Sequence, residues 1–197
     1  MKTILASTSP RRKELLSQVG LQFECVSPSV NEDSLRGESP AKMVRRLARE
    51  KARAVLNLMG TGDVLIIAAD TTVVSPAGKN LGKPADVAEA GRMLKSLVGK
   101  THVVLTAYCL LQRKNGKEKI RVNLTRTRVK MRAMNAAMIS DYVATGEPMD
   151  KAGAYAAQGI GMSLIESISG SYTGVVGLPV AQVLVDMEKY FGVKILK

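Results

Sequence analysis

Ser7, Thr8, Ser9, Pro10, Arg11 and Arg12 stand in a row where a short apolar strand, Thr3 to Ser7, runs into a helix. Ser9 suits an N-cap and Pro10 the first helical position, so unpaired backbone N–H groups gather beside two guanidinium groups. That combination suits an anion such as phosphate, with the Ser7 to Ser9 hydroxyls as further donors. The bland alternative is a capped surface helix whose arginines are solvated. Asp70 ends the apolar run Val64 to Ala69, and open α/β sheets place their chemistry at the carboxyl ends of central strands. A turn or capping role is its alternative. Lys51 falls four residues after Leu47 and four before Val55, on the apolar stripe of a helix, where a lysine either snorkels outward or meets an anion. Lys83, between Gly82 and Pro84, is held on a stiffened loop, for a phosphate or for solvent. Glu32 and Asp33 lie in a polar stretch, either balancing a basic surface or supplying a metal ligand.

The elements that must position these groups are legible in outline. A first helix is expected from Pro10 to Val19 with Gly20 as its stop, then a strand from Leu21 to Val26 and a loop from Ser27 to Glu38. Ser39-Pro40 opens a long amphipathic helix through Met59, with Arg45, Arg46, Arg49 and Arg53 on its wet side. Val64 to Ala69 reads as a strand buried on both faces, and Val73-Val74 continue it. Asp86 and Glu89 cap a third helix. His102 begins a long strand through Leu111, and Asn115-Gly116 predicts a tight hairpin turn into a returning strand, Glu118 to Met131. Asn135 caps a short helix to Ala144, Met162 to Ile168 reads as a strand, Ser169 to Gly177 as a loop, and Leu178 to Phe191 as the last helix. Strands and helices interleave, so the expected architecture is α/β, one unit over residues 1–197, with a lobed arrangement around a cleft as a variant.

Composition narrows the partners. The chain of 197 residues is 46% hydrophobic and carries a net charge of +12, which attracts nucleic acid, anionic membrane or phosphorylated small molecules. The basic ribbon Arg121 to Arg132 is the best case for nucleic acid, but there is no Trp and few Phe or Tyr to stack bases, which favours a solvated polar face. No segment suggests a membrane span. Cys25 and Cys109, far apart in apolar stretches, point to packing roles and a reducing, cytoplasmic setting. With one histidine, no G-x-S-x-G, no Cys/His cluster and no P-loop or dinucleotide fingerprint, scattered cations and a few carboxylates remain. That set suits metal-assisted attack of water on a phosphoanhydride.

Leu5-Ala6-Ser7-Thr8-Ser9-Pro10-Arg11-Arg12, Ala68-Ala69-Asp70-Thr71, Gly82-Lys83-Pro84, Asp150 to Tyr155 with Gln158-Gly159, and Gly170-Ser171-Tyr172 with Val175 to Pro179 together resemble the Maf (septum formation) family. The resemblance spans nearly the whole chain. It implies an elongated mixed β-sheet flanked by helices, related to inosine triphosphatases, and an enzyme that hydrolyses nucleoside triphosphates to monophosphate and pyrophosphate with a divalent cation, Mg²⁺ or Mn²⁺. On the matching positions it makes Asp70 the catalytic carboxylate, with Glu32 joining it around the metal. Ser7, Arg11, Arg12, Lys51 and Lys83 would contact phosphates, and Arg11, Thr71 and Gln158 would set base preference. Gln158 resembles the subgroup acting on dTTP and UTP, since a carboxamide pairs with the O4 and N3–H edge of thymine or uracil. Thr8 stands where many members have Gly or Asn, and Thr173-Gly174 replaces a bulkier pair. The resemblance admits a homodimer. The competing reading from another class is a non-catalytic basic regulator that binds nucleotides or nucleic acid.

Overall fold

The apolar run at the start of the chain forms β1 (Lys2–Ala6), and the longer one forms β3 (Val64–Val74); the two pair in parallel from Lys2↔Val64 to Ala6↔Ala68. The computed structural model describes residues 1–194. Between these strands come α1 (Pro10–Gln18), the short β2 (Glu24–Val26) and α2 (Pro40–Leu58). Pro10 and Pro40 both occupy first-turn positions, where a missing N–H costs nothing. Ser39 caps α2 by accepting from the Lys42 N–H, whereas the Ser9 side chain makes no capping bond. Instead, the Ser7 hydroxyl oxygen accepts from the Ser9 N–H at 3.1 Å.

The chain continues through β4 (Asn80–Leu81), α3 (Val87–Leu97), β5 (Thr101–Lys114) and β6 (Lys117–Met131). The Asn115-Gly116 turn forms as expected, both residues having positive φ, 50° and 72°. Next come α4 (Ala136–Ala144), three 3₁₀ turns between Glu147 and Leu164, β7 (Ile165–Ser169), α5 (Tyr172–Val176) and α6 (Val180–Phe191). The seven strands form one mixed sheet in the order β2-β1-β3-β5-β6-β7, with β4 paired to β3. No described helix is long and apolar enough to cross a membrane.

Four expectations are corrected. Asp70 lies within its strand and not at the carboxyl end: β3 runs on to Val74, the continuation expected through Val73-Val74, because Thr71, Thr72, Val73 and Val74 all have β-branched side chains suited to a pleated sheet. It does lie just past Ala68, where pairing with β1 stops. Met162 to Leu164, expected to begin a strand, instead complete the 3₁₀ turn Gly159–Leu164, which Gly159 opens with a positive φ of 64°, and the strand starts only at Ile165. The expected loop after Ser169 contains α5, whose first turn is tied by the Gly174 N–H donating to Ser171 Oγ. Cys25 is exposed, because β2 is a three-residue edge strand with little to cover it; Cys109 is buried.

The chain divides into two compact units: residues 1–70, 106–124 and 177–197, and residues 71–105 and 125–176. In the first, Ile4, Leu5, Leu16, Val44, Leu47, Val55 and the Leu65 to Ile67 stretch are buried. The apolar stripe of α2 is what buries that helix, each fully buried aliphatic side chain contributing about 1.5–3 kcal/mol. In the second, Val73, Leu81, Leu94, Leu97, Val129, Met131 and Tyr142 belong to one core cluster. There Gly153 is required: at φ 72° a Cβ would meet the Val73 side chain at 2.9 Å.

Candidate active site

Lys51 decides the first unit. It lies on the apolar stripe of α2, its side chain only 7% exposed, and it meets anions rather than snorkelling. Its Nζ donates to Asp70 Oδ1 at 2.7 Å and also stands 2.7 Å from Glu32 Oε1. Asp70 is buried on β3, whereas the Glu32 side chain, on the loop before α2, is 57% exposed. One ammonium therefore gathers two carboxylates. Burial pushes the Asp70 carboxyl pKa up from its ordinary value, with Lys51 and Arg12 opposing that rise.

Arg12, on the first turn of α1, is half-buried. Its Nε donates to the Gly177 carbonyl oxygen at 2.8 Å and its Nη1 to Ser7 Oγ at 3.4 Å. Desolvation lowers its pKa, while Asp70 and Glu32 raise it. Ser7 itself is buried, its hydroxyl accepting from both the Ser9 N–H and Arg12. Ser7, Arg12, Glu32, Lys51 and Asp70 thus form one electrostatically linked group, with Arg11 adjacent on α1. Asp33, weighed beside Glu32, instead forms a loop turn, its N–H donating to Asn31 Oδ1.

The remaining expected residues belong to the second unit. Thr71 follows Asp70 on β3, Lys83 is exposed on the loop after β4, and Gln158 is half-buried just before the 3₁₀ turn at Gly159. The Lys83 loop is held where the Gly153 N–H donates to the Gly82 carbonyl at 3.0 Å. On the basic ribbon of β6, Arg126 and Arg128 are exposed and Lys130 pairs with Glu166, whereas Arg121 pairs with Asp186 in the first unit.

The model of the Maf-like protein family matches residues 2–190. The chain belongs to the Maf-like protein family. Among the similar relatives of this Maf-like chain is the dTTP/UTP pyrophosphatase of Pelotomaculum thermopropionicum, 46% identical over 193 residues, covering 98% of each protein. The dTTP/UTP pyrophosphatase of Shewanella denitrificans is 48% identical over 188 residues, covering 92% of each. The solved Ham1 protein of Staphylococcus aureus superimposes with a TM-score of 0.43 at 11% identity, covering 66% of this chain and 72% of that one.

In this Maf-like chain the sequence singles out neither Asp186 nor Glu147, and it marks His102 only as a lone histidine at a strand start. Buried Asp186 on α6 accepts, through Oδ2, from the Tyr108 hydroxyl, the Arg121 Nε and the Asn123 amide at 2.8–2.9 Å. Buried His102 shares a 2.7 Å hydrogen bond between Nε2 and the Tyr155 hydroxyl. Glu147 holds backbone N–H groups downstream of Gln158. Arg121 and Asn123, two apart on β6, share a face, but Asp186 lies 65 and 63 residues away and leaves no local signal. Besides the Tyr142 hydroxyl, Glu147 meets main-chain N–H groups, which side-chain types do not encode.

Proposed function

We propose that this protein hydrolyses dTTP and UTP to the nucleoside monophosphate and pyrophosphate. The observation that carries the reading is Lys51 joining buried Asp70 to Glu32 beside the Ser7–Arg12 pair; the names of the relatives supply the substrates. Asp70 accepts a proton from water as its oxygen bonds to the α-phosphorus. The bond from that phosphorus to the bridging oxygen breaks, and pyrophosphate leaves with the electron pair. Lys51 opposes the effect of burial and so favours the ionised carboxylate that this step needs. The Arg12 guanidinium, anchored through Nε on Gly177, offers a planar fork suited to phosphate oxygens, and Ser7 adds a neutral donor.

A divalent cation fits this donor set. Among the described residues no group of three or more His, Cys, Asp and Glu side chains forms a metal site, but two hard-oxygen carboxylates converge on the Lys51 ammonium. Mg²⁺ and Mn²⁺ suit one or two carboxylates completed by substrate phosphates and water. Asp70 and Glu32 would hold the ion, which when bound neutralises phosphate charge. Lys83 would contact phosphate, and Arg11, Thr71 and Gln158 would read the base, the Gln158 carboxamide matching the O4 and N3–H edge of uracil and thymine.

The test incubates the protein with Mn²⁺ or Mg²⁺ and each of dTTP, UTP, CTP, ATP and GTP, resolving products by anion exchange. Monophosphate and pyrophosphate from dTTP and UTP are expected. Orthophosphate as the first product, or no turnover, overturns the reading.

A further inference from the structure

The stretch that carries Gln158 is tied down on both sides by side chains from outside it. Glu147 follows α4, one residue past Gly146, whose positive φ of 75° turns the chain. Its Oε1 accepts from the Tyr142 hydroxyl at 3.0 Å and from the Gly161 N–H at 2.9 Å; its Oε2 accepts from the Ile160 N–H at 2.9 Å. The Tyr142 hydroxyl oxygen in turn accepts from the Ala156 N–H at 3.1 Å. The Tyr172 hydroxyl donates to the Ala157 carbonyl oxygen at 3.2 Å. Main-chain groups of residues 156, 157, 160 and 161 are therefore held, and Gln158 lies between the held pairs.

The packing leaves little room for another path. A Cβ on Gly161 would meet the Ala156 carbonyl oxygen at 2.3 Å, and one on Gly159 would meet Glu147 Oε2 at 2.8 Å. Carboxylate acceptors make stronger bonds to N–H donors than neutral ones do. A half-buried carboxylate spent on two backbone N–H groups and a tyrosine is a costly way to hold a surface turn unless its position matters.

We propose that Glu147, with Tyr142 as its partner, is the positioning residue that fixes the Gln158 carboxamide for reading the base. The inference rests on the proposed function, and it makes base discrimination depend on a residue that touches no substrate. The glutamate is needed as an ion. A glutamine offers one acceptor oxygen and one NH₂, so whichever way the amide turns, a donor faces a donor at Ile160 or at Gly161 and Tyr142.

The test compares wild type, Glu147→Gln, Tyr142→Phe, Gln158→Ala and the Glu147→Gln/Gln158→Ala double variant on dTTP and dCTP, with amide hydrogen exchange at Ile160 and Gly161. Glu147→Gln is expected to speed exchange at those two amides and to raise KM for dTTP about tenfold, with kcat within about twofold. The kcat/KM preference for dTTP over dCTP falls in the same proportion. Tyr142→Phe moves both readouts the same way and serves if Glu147→Gln does not fold. In the Gln158→Ala background the Glu147 change alters the preference by less than about twofold, since it acts through the missing amide. An unchanged preference in Glu147→Gln and Tyr142→Phe overturns the proposal, as does full additivity in the double variant. If Gln158→Ala keeps the wild-type preference, the clamp has no base-reading group to set and the proposal falls with it. No turnover of dTTP by the wild type overturns the proposed function itself.

Discussion

At the scale of single residues, the cluster around Lys51 makes stability and chemistry compete. Lys51 and Asp70 are both buried, and removing one partner of such a pair leaves a charge without compensation. Lys51→Met is therefore expected to destabilise the fold by about 3 kcal/mol in urea unfolding and to raise KM or lower kcat. The double variant Lys51→Met/Asp70→Asn should regain part of that loss, since a neutral amide no longer needs the ammonium. Asp70→Asn alone is expected to lower kcat by about 10²-fold or more in the same pyrophosphate assay, with an unchanged circular dichroism spectrum. Much of this cluster was legible in the sequence. Asp70 stood out as a carboxylate at the end of an apolar run, and Lys51 as a cation on an apolar stripe. What the sequence left open was whether Lys51 snorkels or pairs. Glu32, separated from Asp70 by 38 positions, could be read only as one of two acids in a polar loop, because nothing local says which acid turns inward.

At the scale of elements, the start of β5 carries a pH dependence of its own. His102 is buried beside Tyr155, the rings meeting edge-on at 5.3 Å, and among the described residues its Nδ1 has no partner. Burial pushes its pKa down from 6.5 to about 4. The unfolded chain takes up a proton as pH falls through its ordinary value; the folded chain resists until about 4. His102 thus leaves stability intact above the unfolded value and erodes it between there and the folded one, by up to ~3 kcal/mol. Unfolding midpoints measured from neutral to pH about 5 should fall for the wild type and fall less for His102→Gln, which still offers Tyr155 a partner. An equal slope in both would assign the acid sensitivity to other groups. Elements governed by side-chain periodicity, α2 and the β5–β6 hairpin above all, follow their residues closely. The stretch from Glu147 to Leu164 does not, because glycine dihedrals and the Glu147 carboxylate fix its path.

For the whole molecule, the charge of +12 bears on a substrate that is itself a polyanion. Raising salt from about 0.05 to about 0.5 M should increase KM for dTTP several-fold and leave kcat nearly unchanged, since screening weakens encounter more than chemistry inside a buried cluster. A kcat that fell in parallel would place the salt effect in the cluster itself. The composition made the preference for anions readable, but the division of the chain into two units was not, since no linker marks it. β3, β5 and β6 each contribute residues to both units, and the first unit is assembled from three separate stretches of sequence. Arg12 completes its anchoring on Gly177, 165 residues later. During synthesis, Ser7, Lys51 and Asp70 leave the ribosome early but lack the last stretch of their own unit until almost the entire chain has emerged. A nascent chain stalled before Gly177 would carry all five residues of the cluster but lack the carbonyl on which Arg12 Nε is anchored, so the cluster is completed only late in translation.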